Sequence, residues 1–217
     1  MLVAAAVCPP TPLLLLQLED LRSACRAAVA ALRETRPDAL IVVGGAAATA
    51  AYDGGAAGTL RPWGIDVTTG HGERPVLPLS LTVGRWLLGD QAPDGFRAVA
   101  LDATSEECRK YGEEVGATAE RVALLVMADG SACLSSRAPG KHDEAAKPYN
   151  DLIARAIAGA DPATLAALDP ERADRLWVSG RAALQVLAGA AGTRGLSGRL
   201  LMEAAPYGVG YFAGLWT

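Results

Sequence analysis

The fold is decided by residues Leu2–Val43, which read LVAAAVCPPTPLLLLQLEDLRSACRAAVAALRETRPDALIVV. This stretch contains two continuous apolar runs, Leu2–Val7 and Ala39–Val43, which are typical of strands that are buried on both faces of a sheet. A helix is predicted between them, from about Leu14 to Glu34, because apolar residues recur every three or four positions at Leu18, Leu21, Cys25, Ala28 and Leu32. A strand, a helix and a second strand in this order predict a parallel sheet with a right-handed crossover.

Further strands are predicted in the middle of the chain. Phe96–Leu101 and Val122–Met127 are short apolar runs of the length that buried strands usually have. The run Val76–Leu81 has the same character, and we expect a strand there too, followed by a short helix that begins near Arg85. These elements extend the predicted parallel sheet.

The second half of the chain contains helix signals. Thr104–Glu107, TSEE, has the pattern of a capping box, in which a threonine and a glutamate satisfy exposed amides at a helix start. Helices are predicted over Tyr149–Ile157 and Ala173–Ala188, with shorter ones after two prolines between them. The chain then closes with an expected strand pair, Leu200–Met202 and Tyr207–Leu215.

Length and composition favour one globular domain that comprises residues 1–217. Hydrophobic residues make up 51% of the chain and charged residues 20%, which allows a sizeable core. The predicted fold is therefore α/β, with a mainly parallel central sheet flanked by helices. The net charge of −4 and the absence of a basic block argue against nucleic-acid binding.

Compartment signals point to the cytoplasm. The apolar run Leu13–Leu16 is too short to cross a bilayer, and no basic segment of a signal peptide precedes Leu2. The chain has 4 cysteines without a C-x-x-C pair, which suits a reducing compartment and argues against a zinc knuckle. We expect a cytoplasmic protein that does not enter membranes.

One of the 2 histidines, His71, lies between glycines in the sequence Gly70-His71-Gly72. Glycines let the backbone approach whatever the imidazole contacts, and a buried strand after the loop would hold the ring at a pocket mouth. The alternative is a surface turn with an incidental histidine. His142 lies beside charged residues and is expected at the surface.

Loops after two predicted strands are candidate ligand sites, since open α/β sheets bind ligands at the carboxyl ends of their strands. The small-residue segment Gly44–Gly58 follows one strand, and Asp129-Gly130-Ser131 follows another. Neither segment has the glycine spacing of a dinucleotide-binding or phosphate-binding loop. Nucleotide binding is therefore not expected.

The order of several segments along almost the whole chain resembles the LigB-like catalytic subunit of class III extradiol ring-cleaving dioxygenases, in the short form found in actinobacteria. The segments that carry the resemblance are Val7-Cys8-Pro9-Pro10-Thr11-Pro12, Gly70-His71-Gly72, Pro78-Leu79-Ser80-Leu81, Asp129-Gly130-Ser131, Asp161-Pro162, Asp169-Pro170, Ser179-Gly180, Gly189-Ala190-Ala191 and Ala205-Pro206-Tyr207-Gly208.

The resemblance implies a fold in which two histidines and a carboxylate hold a non-haem ferrous iron. Here Pro10 stands at the position of the first histidine, and Gly44, Gly45 and Ala46 occupy the region of the second. The segment Gly180–Ala183, where the family places the carboxylate, contains none. His71 corresponds to the family histidine that lines the substrate and oxygen pocket. The family would imply Fe(II), but we predict neither a metal nor another cofactor.

The main hypothesis is a dioxygenase-fold protein that lacks the iron site and keeps the pocket for a small aromatic or anionic molecule. Relatives commonly form oligomers, and the apolar C-terminal strand could supply contacts, so a homo-oligomer is expected. The predicted pocket residues are His71, Pro10, Gly44, Gly45, Asp129, Ser131, Glu203 and Tyr207.

Two other hypotheses stay open. In the first, the chain is an active divergent oxidoreductase or hydrolase that uses His71 as general acid or base. The carboxylate that orients His71 would be Asp66, Asp129 or Glu203. Ser131 could also act as a nucleophile, although a turn serine is the common role of such a residue. In the second, Cys8, His71 and carboxylates form a non-standard metal site.

Overall fold

A seven-stranded sheet forms the centre of the computed structural model, which describes all 217 residues. The strands, numbered in chain order, are β1 (Leu2–Cys8), β2 (Ala39–Ala46), β3 (Ala50–Asp53), β4 (Gly58–Thr59), β5 (Thr68–Thr69), β6 (Gly95–Ala100), β7 (Val122–Met127), β8 (Gly198–Ala204) and β9 (Tyr211–Trp216). The sheet has the order β3-β6-β2-β7-β1-β9-β8, while β4 and β5 form a separate ribbon.

The sheet is mixed and mostly parallel, as predicted. At its centre β6, β2, β7 and β1 run parallel. β3 lies antiparallel to β6 at one side, and β9 lies antiparallel to β1 at the other, with β8 outside it. Because β7 lies between β1 and β2, the first strand–helix–strand unit passes over one intervening strand.

Helices cover both faces of the sheet. They are α1 (Leu13–Leu16), α2 (Glu19–Glu34), α3 (Leu79–Leu87), α4 (Ser105–Gly116), α5 (Ala146–Gly159), α6 (Pro162–Ala166), α7 (Pro170–Arg175) and α8 (Arg181–Ala191), with a 3-10 turn at Arg61–Trp63. None of them combines the length and the apolar character that a membrane crossing requires.

Two hydrophobic cores lie on opposite faces of the sheet. α1 to α3 pack over a core of 27 buried residues, and α4 to α8 pack over one of 37. Alternate side chains of β1 enter different cores, since Ala5 and Val7 belong to the larger one and Ala4, Ala6 and Cys8 to the smaller one. Burial on both faces explains why this strand is apolar at every position.

The prediction of a strand over Val76–Leu81 is wrong. Val76 is exposed, and α3 begins at Leu79, six residues before the helix start expected near Arg85. The apolar run was too short to distinguish a strand from a helix by its pattern. The helical form lets Gly84 pack closely on the sheet, where an added Cβ would lie 2.7 Å from the side chain of Val42.

Two helices predicted as continuous are interrupted. The first breaks at Gln17-Leu18, which separates α1 from α2. The second breaks between Leu176 and Gly180, so Ala173–Ala188 forms parts of α7 and α8. At this second break Trp177 adopts a left-handed backbone conformation with φ of 52°, which a continuous α-helix does not allow.

Several local predictions are confirmed. Thr104 accepts a hydrogen bond from the Glu107 backbone amide at 3.2 Å, and the Glu107 carboxylate accepts one from the Thr104 amide at 2.8 Å. The strand pair at the C-terminus is also present as β8 and β9. β9, however, is buried between β1 and β8, so a homo-oligomer would need another surface.

Candidate functional site

The carboxyl ends of the parallel strands meet at one edge of the sheet, and the segments after β2, β6 and β7 come together there. A Cβ at Gly45 would lie 2.6 Å from the side chain of Leu101 and 3.3 Å from the carbonyl oxygen of Ser179. The Ser179 hydroxyl in turn donates a hydrogen bond to the Asp129 carboxylate at 2.6 Å. This edge is the usual ligand position of open α/β sheets.

A cleft of about 650 Å³, here called the Asp129 cleft, opens at this edge. Its volume lies within the range of small-molecule sites. Its walls come from the segments after β6 and β7, from α7 and from the turn that leads into α8. The lining residues are Leu101, Asp102, Asp129, Ala132, Pro170, Glu171, Ala173, Asp174, Trp177, Val178, Ser179 and Arg181.

The Asp129 carboxyl has an unusual acidity. Burial raises its pKa from the ordinary value of 3.8 to about 6, because desolvation penalises the charged form. The Ser179 hydroxyl and the backbone amides of Asp129 and Gly180 act in the opposite direction and offset only part of that effect. A carboxyl with this pKa can gain or lose a proton close to neutral pH.

Trp177 forms one wall of the cleft and is 58% exposed. Hydrogen bonds on both sides hold its left-handed conformation: its amide donates to the Asp174 carbonyl at 3.0 Å, and its carbonyl accepts from the Ala132 amide at 3.3 Å. Such conformations are costly for bulky residues and occur preferentially at functional sites. The turn therefore presents a large aromatic surface to solvent at the cleft.

Arg181 is the only basic residue that lines the cleft, and it is almost fully buried. Its guanidinium donates hydrogen bonds to the carbonyls of Leu101, at 2.6 Å, and Ala103, and to the side chain of Gln185 at 3.1 Å. These bonds tie α8 to the segment after β6. We interpret Arg181 as a residue that shapes the cleft from within the protein.

Ser131 and Glu203 lie near each other but do not line the Asp129 cleft. Ser131 is buried, and its hydroxyl donates to the Leu176 carbonyl at 2.7 Å and accepts from the Cys133 amide at 3.0 Å. Glu203 is exposed on β8 and accepts a hydrogen bond from buried Asn150 at 3.0 Å. The Asn150 side chain also accepts from the Ser131 amide at 3.3 Å, so it connects the two predicted residues.

The other predicted residues occupy different parts of the same sheet edge. Gly45 contacts Leu101 of the cleft, whereas Gly44 is buried in β2 against Ser80. Pro10 is half-buried after β1, and Tyr207, before β9, is 43% exposed. Apart from Asp129, none of the predicted pocket residues lines the Asp129 cleft itself.

Tyr211, at the start of β9, is influenced electrostatically by both Asp129 and Tyr207. Its side chain is buried, and burial raises the pKa of its phenol. The Thr11 side chain lowers that pKa through a hydrogen bond, while Asp129 and Tyr207 raise it through their charges. The start of β9 thus lies within electrostatic range of Asp129.

His71 lies apart from the Asp129 cleft. It is exposed, its backbone amide donates to the Gly55 carbonyl at 3.1 Å, and it lines a separate shallow depression of about 470 Å³ with Asp53 and Arg74. The two depressions share no lining residue. Asp66, one of the carboxylates considered as its partner, instead forms a 2.7 Å ion pair with Arg61.

No group of three or more histidine, cysteine, aspartate and glutamate side chains is arranged to hold a metal ion. His71 and His142 are both exposed, and Cys8 is buried beside Cys25. A hydrogen bond with Cys25 and burial hold the pKa of the Cys8 thiol well above its usual range, which disfavours the thiolate that metals bind. The residues present do not fit a site of two histidines and one carboxylate.

Trp177 and Ser179 were missed as site residues because both fall inside the single helix predicted over Ala173–Ala188. The dipeptide Ser179-Gly180 was the available signal, since this pair commonly marks a turn and a serine commonly precedes a helix. A predicted break at that point would have placed Trp177 in a turn before the next helix.

Comparison with known proteins bears on the fold. A scan against protein-family models finds no match, and a search of curated proteins finds no relative. Among solved structures, the chain is similar to an uncharacterized protein, JW3007, from Escherichia coli K12. The two chains share 13% sequence identity, with 98% of each covered and a TM-score of 0.57. At this identity the likeness concerns the fold alone.

Proposed function

We propose that this chain binds a small organic molecule in the Asp129 cleft, as a divergent, iron-free relative of the class III extradiol dioxygenases. The main support is the Asp129 carboxyl, whose pKa of about 6 reflects a desolvated position at the wall of an open cleft. A desolvated ionisable group in a cleft is a typical feature of functional sites. The cleft also lies where α/β sheets usually bind ligands.

The relation to the dioxygenases is proposed from the order of motifs along the chain and is compatible with the mixed, mostly parallel sheet. The iron site does not carry over, because Pro10, Gly44 and Gly45 have no side chains that ligate metals. The proposed ligand site accordingly keeps Asp129 of the predicted pocket and excludes His71, which lines a separate depression.

A divergent enzyme is the second candidate. The pKa of Asp129 favours it, since general acid–base catalysis is most effective when the pKa lies near the working pH. Asp129 would then take the acid–base role that was hypothesised for His71. Such a protein would convert its ligand as well as bind it.

The test is a screen of chemically diverse small molecules against purified protein, with thermal stabilisation and product analysis as readouts. A ligand that binds only the folded state raises its stability. We expect at least one compound to stabilise the wild type and to lose this effect in Trp177→Asn. Asparagine tolerates the left-handed backbone, so this variant removes the indole without new strain.

The matched control is Trp63→Asn, which removes another exposed indole that does not line the cleft. Metal analysis and oxygen uptake on a panel of catechols accompany the screen. Stoichiometric iron together with ring cleavage would overturn the iron-free proposal. Product formation that disappears in Asp129→Asn would favour the enzyme over the binding protein.

A further inference from the structure

We infer that the Asp129 cleft selects an organic cation, an ammonium group on an aromatic body, whereas the sequence had suggested an aromatic or an anionic ligand. This inference rests on the proposed function and names the ligand class of that same site. It follows from three features of the cleft: the negative sign of most of its charges, the Asp129 carboxylate at the N-terminus of α8, and the exposed indole of Trp177.

The charges that line the cleft are predominantly negative. Four acidic residues contribute to its walls, namely Asp102, Asp129, Glu171 and Asp174. Arg181, the single basic lining residue, is buried and donates to the carbonyls of Leu101 and Ala103. A cleft lined by one sign of charge concentrates ligands of the opposite sign.

The nearby arginines of α7 do not reverse this balance. The guanidinium of Arg172 lies over the ring of Tyr149, 5.2 Å from its centroid. Arg175 lies 3.7 Å from the carboxylate of Asp143. Neither lines the cleft, so no free basic side chain is present there for an anion.

The N-terminus of α8 would ordinarily attract an anion, because the first amides of a helix have no partners within it. Here the protein supplies that anion itself. The Asp129 carboxylate accepts from Ser179 at 2.6 Å, and the Gly180 amide contributes to lowering its pKa. An anionic ligand would therefore meet a carboxylate at this helix end.

The aromatic body of the ligand is inferred from Trp177. Its indole is 58% exposed on a turn that is held in a left-handed conformation by hydrogen bonds on both sides. An indole face attracts cations through its quadrupole and also stacks with other rings. The neighbouring side chains of Leu101 and Val178 extend this apolar wall. Together, the indole and the carboxylates match an aromatic ammonium ion.

The experiment compares three probes of one shape and different charge: benzylammonium, benzyl alcohol and benzoate. Titration calorimetry is performed on the full-length protein at about pH 7.5, where Asp129 is ionised. We expect benzylammonium to bind at least about tenfold more tightly than either of the other two probes.

Variants localise the binding. Trp177→Asn should lower the affinity for benzylammonium about fivefold or more, because the cation–π contact is lost, whereas Trp63→Asn should leave the affinity unchanged. Because Asp174 is exposed, Asp174→Asn removes a second charge of the cleft without disturbing the core, and it should also weaken binding.

Three results would overturn the inference: equal or tighter binding of benzoate or benzyl alcohol, no binding of any probe, or benzylammonium affinity that is the same in Trp177→Asn. The same experiments distinguish a wrong charge preference from a wrong proposed function. If benzoate, or a neutral compound from the screen, binds the wild type and not Trp177→Asn, the cleft is a ligand site and only the charge preference is wrong.

Discussion

Asp129 shows how burial and hydrogen bonding compete at a single residue. Its carboxylate accepts a hydrogen bond from Ser179, yet its pKa is about 6, above the ordinary value of 3.8. The charged form is therefore less stable in the folded protein than in the unfolded chain. The folded state incurs this cost only where the carboxyl is ionised.

We predict that Asp129→Asn stabilises the protein above pH 7 and has little effect below pH 4. Between about pH 4 and pH 6 the unfolded chain ionises this carboxyl while the folded protein keeps it protonated, so the contribution of Asp129 to wild-type stability falls as the pH rises. The rise in pKa from 3.8 to about 6 corresponds to a free energy of unfolding that is roughly 3 kcal/mol higher in the variant at pH 8. Urea unfolding across this pH range measures the difference.

The same substitution at exposed Asp90 controls for the loss of one negative charge from the molecule. A difference between wild type and Asp129→Asn that stayed constant from pH 4 to pH 8 would contradict the proposed burial of the carboxyl.

Two helices that cover the larger core, α4 and α8, pack backbone against backbone. A Cβ at Gly112 of α4 would lie 2.2 Å from the Val186 carbonyl oxygen and 2.8 Å from the Ala190 amide nitrogen. A Cβ at Gly189 of α8 would lie 2.3 Å from the Arg109 carbonyl oxygen. The two glycines permit this approach, which in turn fixes the position of α8 and of the cleft at its start.

We predict that Gly112→Ala lowers the free energy of unfolding by about 2–3 kcal/mol, because the backbone of α8 must move to admit one methyl group. The control is Gly159→Ala at the end of α5, where an added Cβ meets nothing within 4 Å. That change should be neutral or stabilise by up to about 0.5 kcal/mol. Denaturant unfolding compares both variants, and equal effects would show that the helices are not tightly packed.

At the scale of the whole molecule, a single sheet separates two cores that contain two cysteines each. Cys8 and Cys25 are buried in the core under α2, while Cys108 and Cys133 are buried in the core under α8. All four are free thiols with at most 1% exposure. The reactivity of the thiols therefore reports whether the two helical layers, one on each face of the sheet, open together.

We predict that the native protein reacts with an aromatic disulfide reagent only after global opening, so that all four thiols are modified at one slow rate. A hydrogen bond with Cys25 and burial raise the pKa of the Cys8 thiol, and burial raises those of Cys108 and Cys133; the lower thiolate fraction also slows attack on the reagent. Absorbance of the released thiolate measures the rate, and denatured protein gives the full count of 4.

Cys25→Ala and Cys108→Ala each remove one thiol from one layer and assign the phases. A fast phase of two thiols that shrinks in only one of these variants would show that one helical layer opens independently, against the expectation for a single cooperative sheet.

Local chemistry determined much of the architecture in advance. β1, β2 and β7 are apolar at every position because both of their faces are buried, so their existence was readable from Leu2–Val7, Ala39–Val43 and Val122–Met127. The capping box was readable as well, because Thr104 and Glu107 lie three residues apart and satisfy each other's amides. Asp129 was predicted as a site residue from its place after a buried strand.

The tertiary structure alone decided what surrounds Asp129. Trp177 and Ser179 lie about 50 residues further along the chain, and the break between α7 and α8 that brings them to the cleft depends on contacts with Ala132 and Asp129. His71 and Asp129 were expected to line one pocket, but the loop of His71 lines a separate depression. Strand identity follows from local burial patterns, but the composition of a cleft depends on long-range packing that no short stretch of sequence specifies.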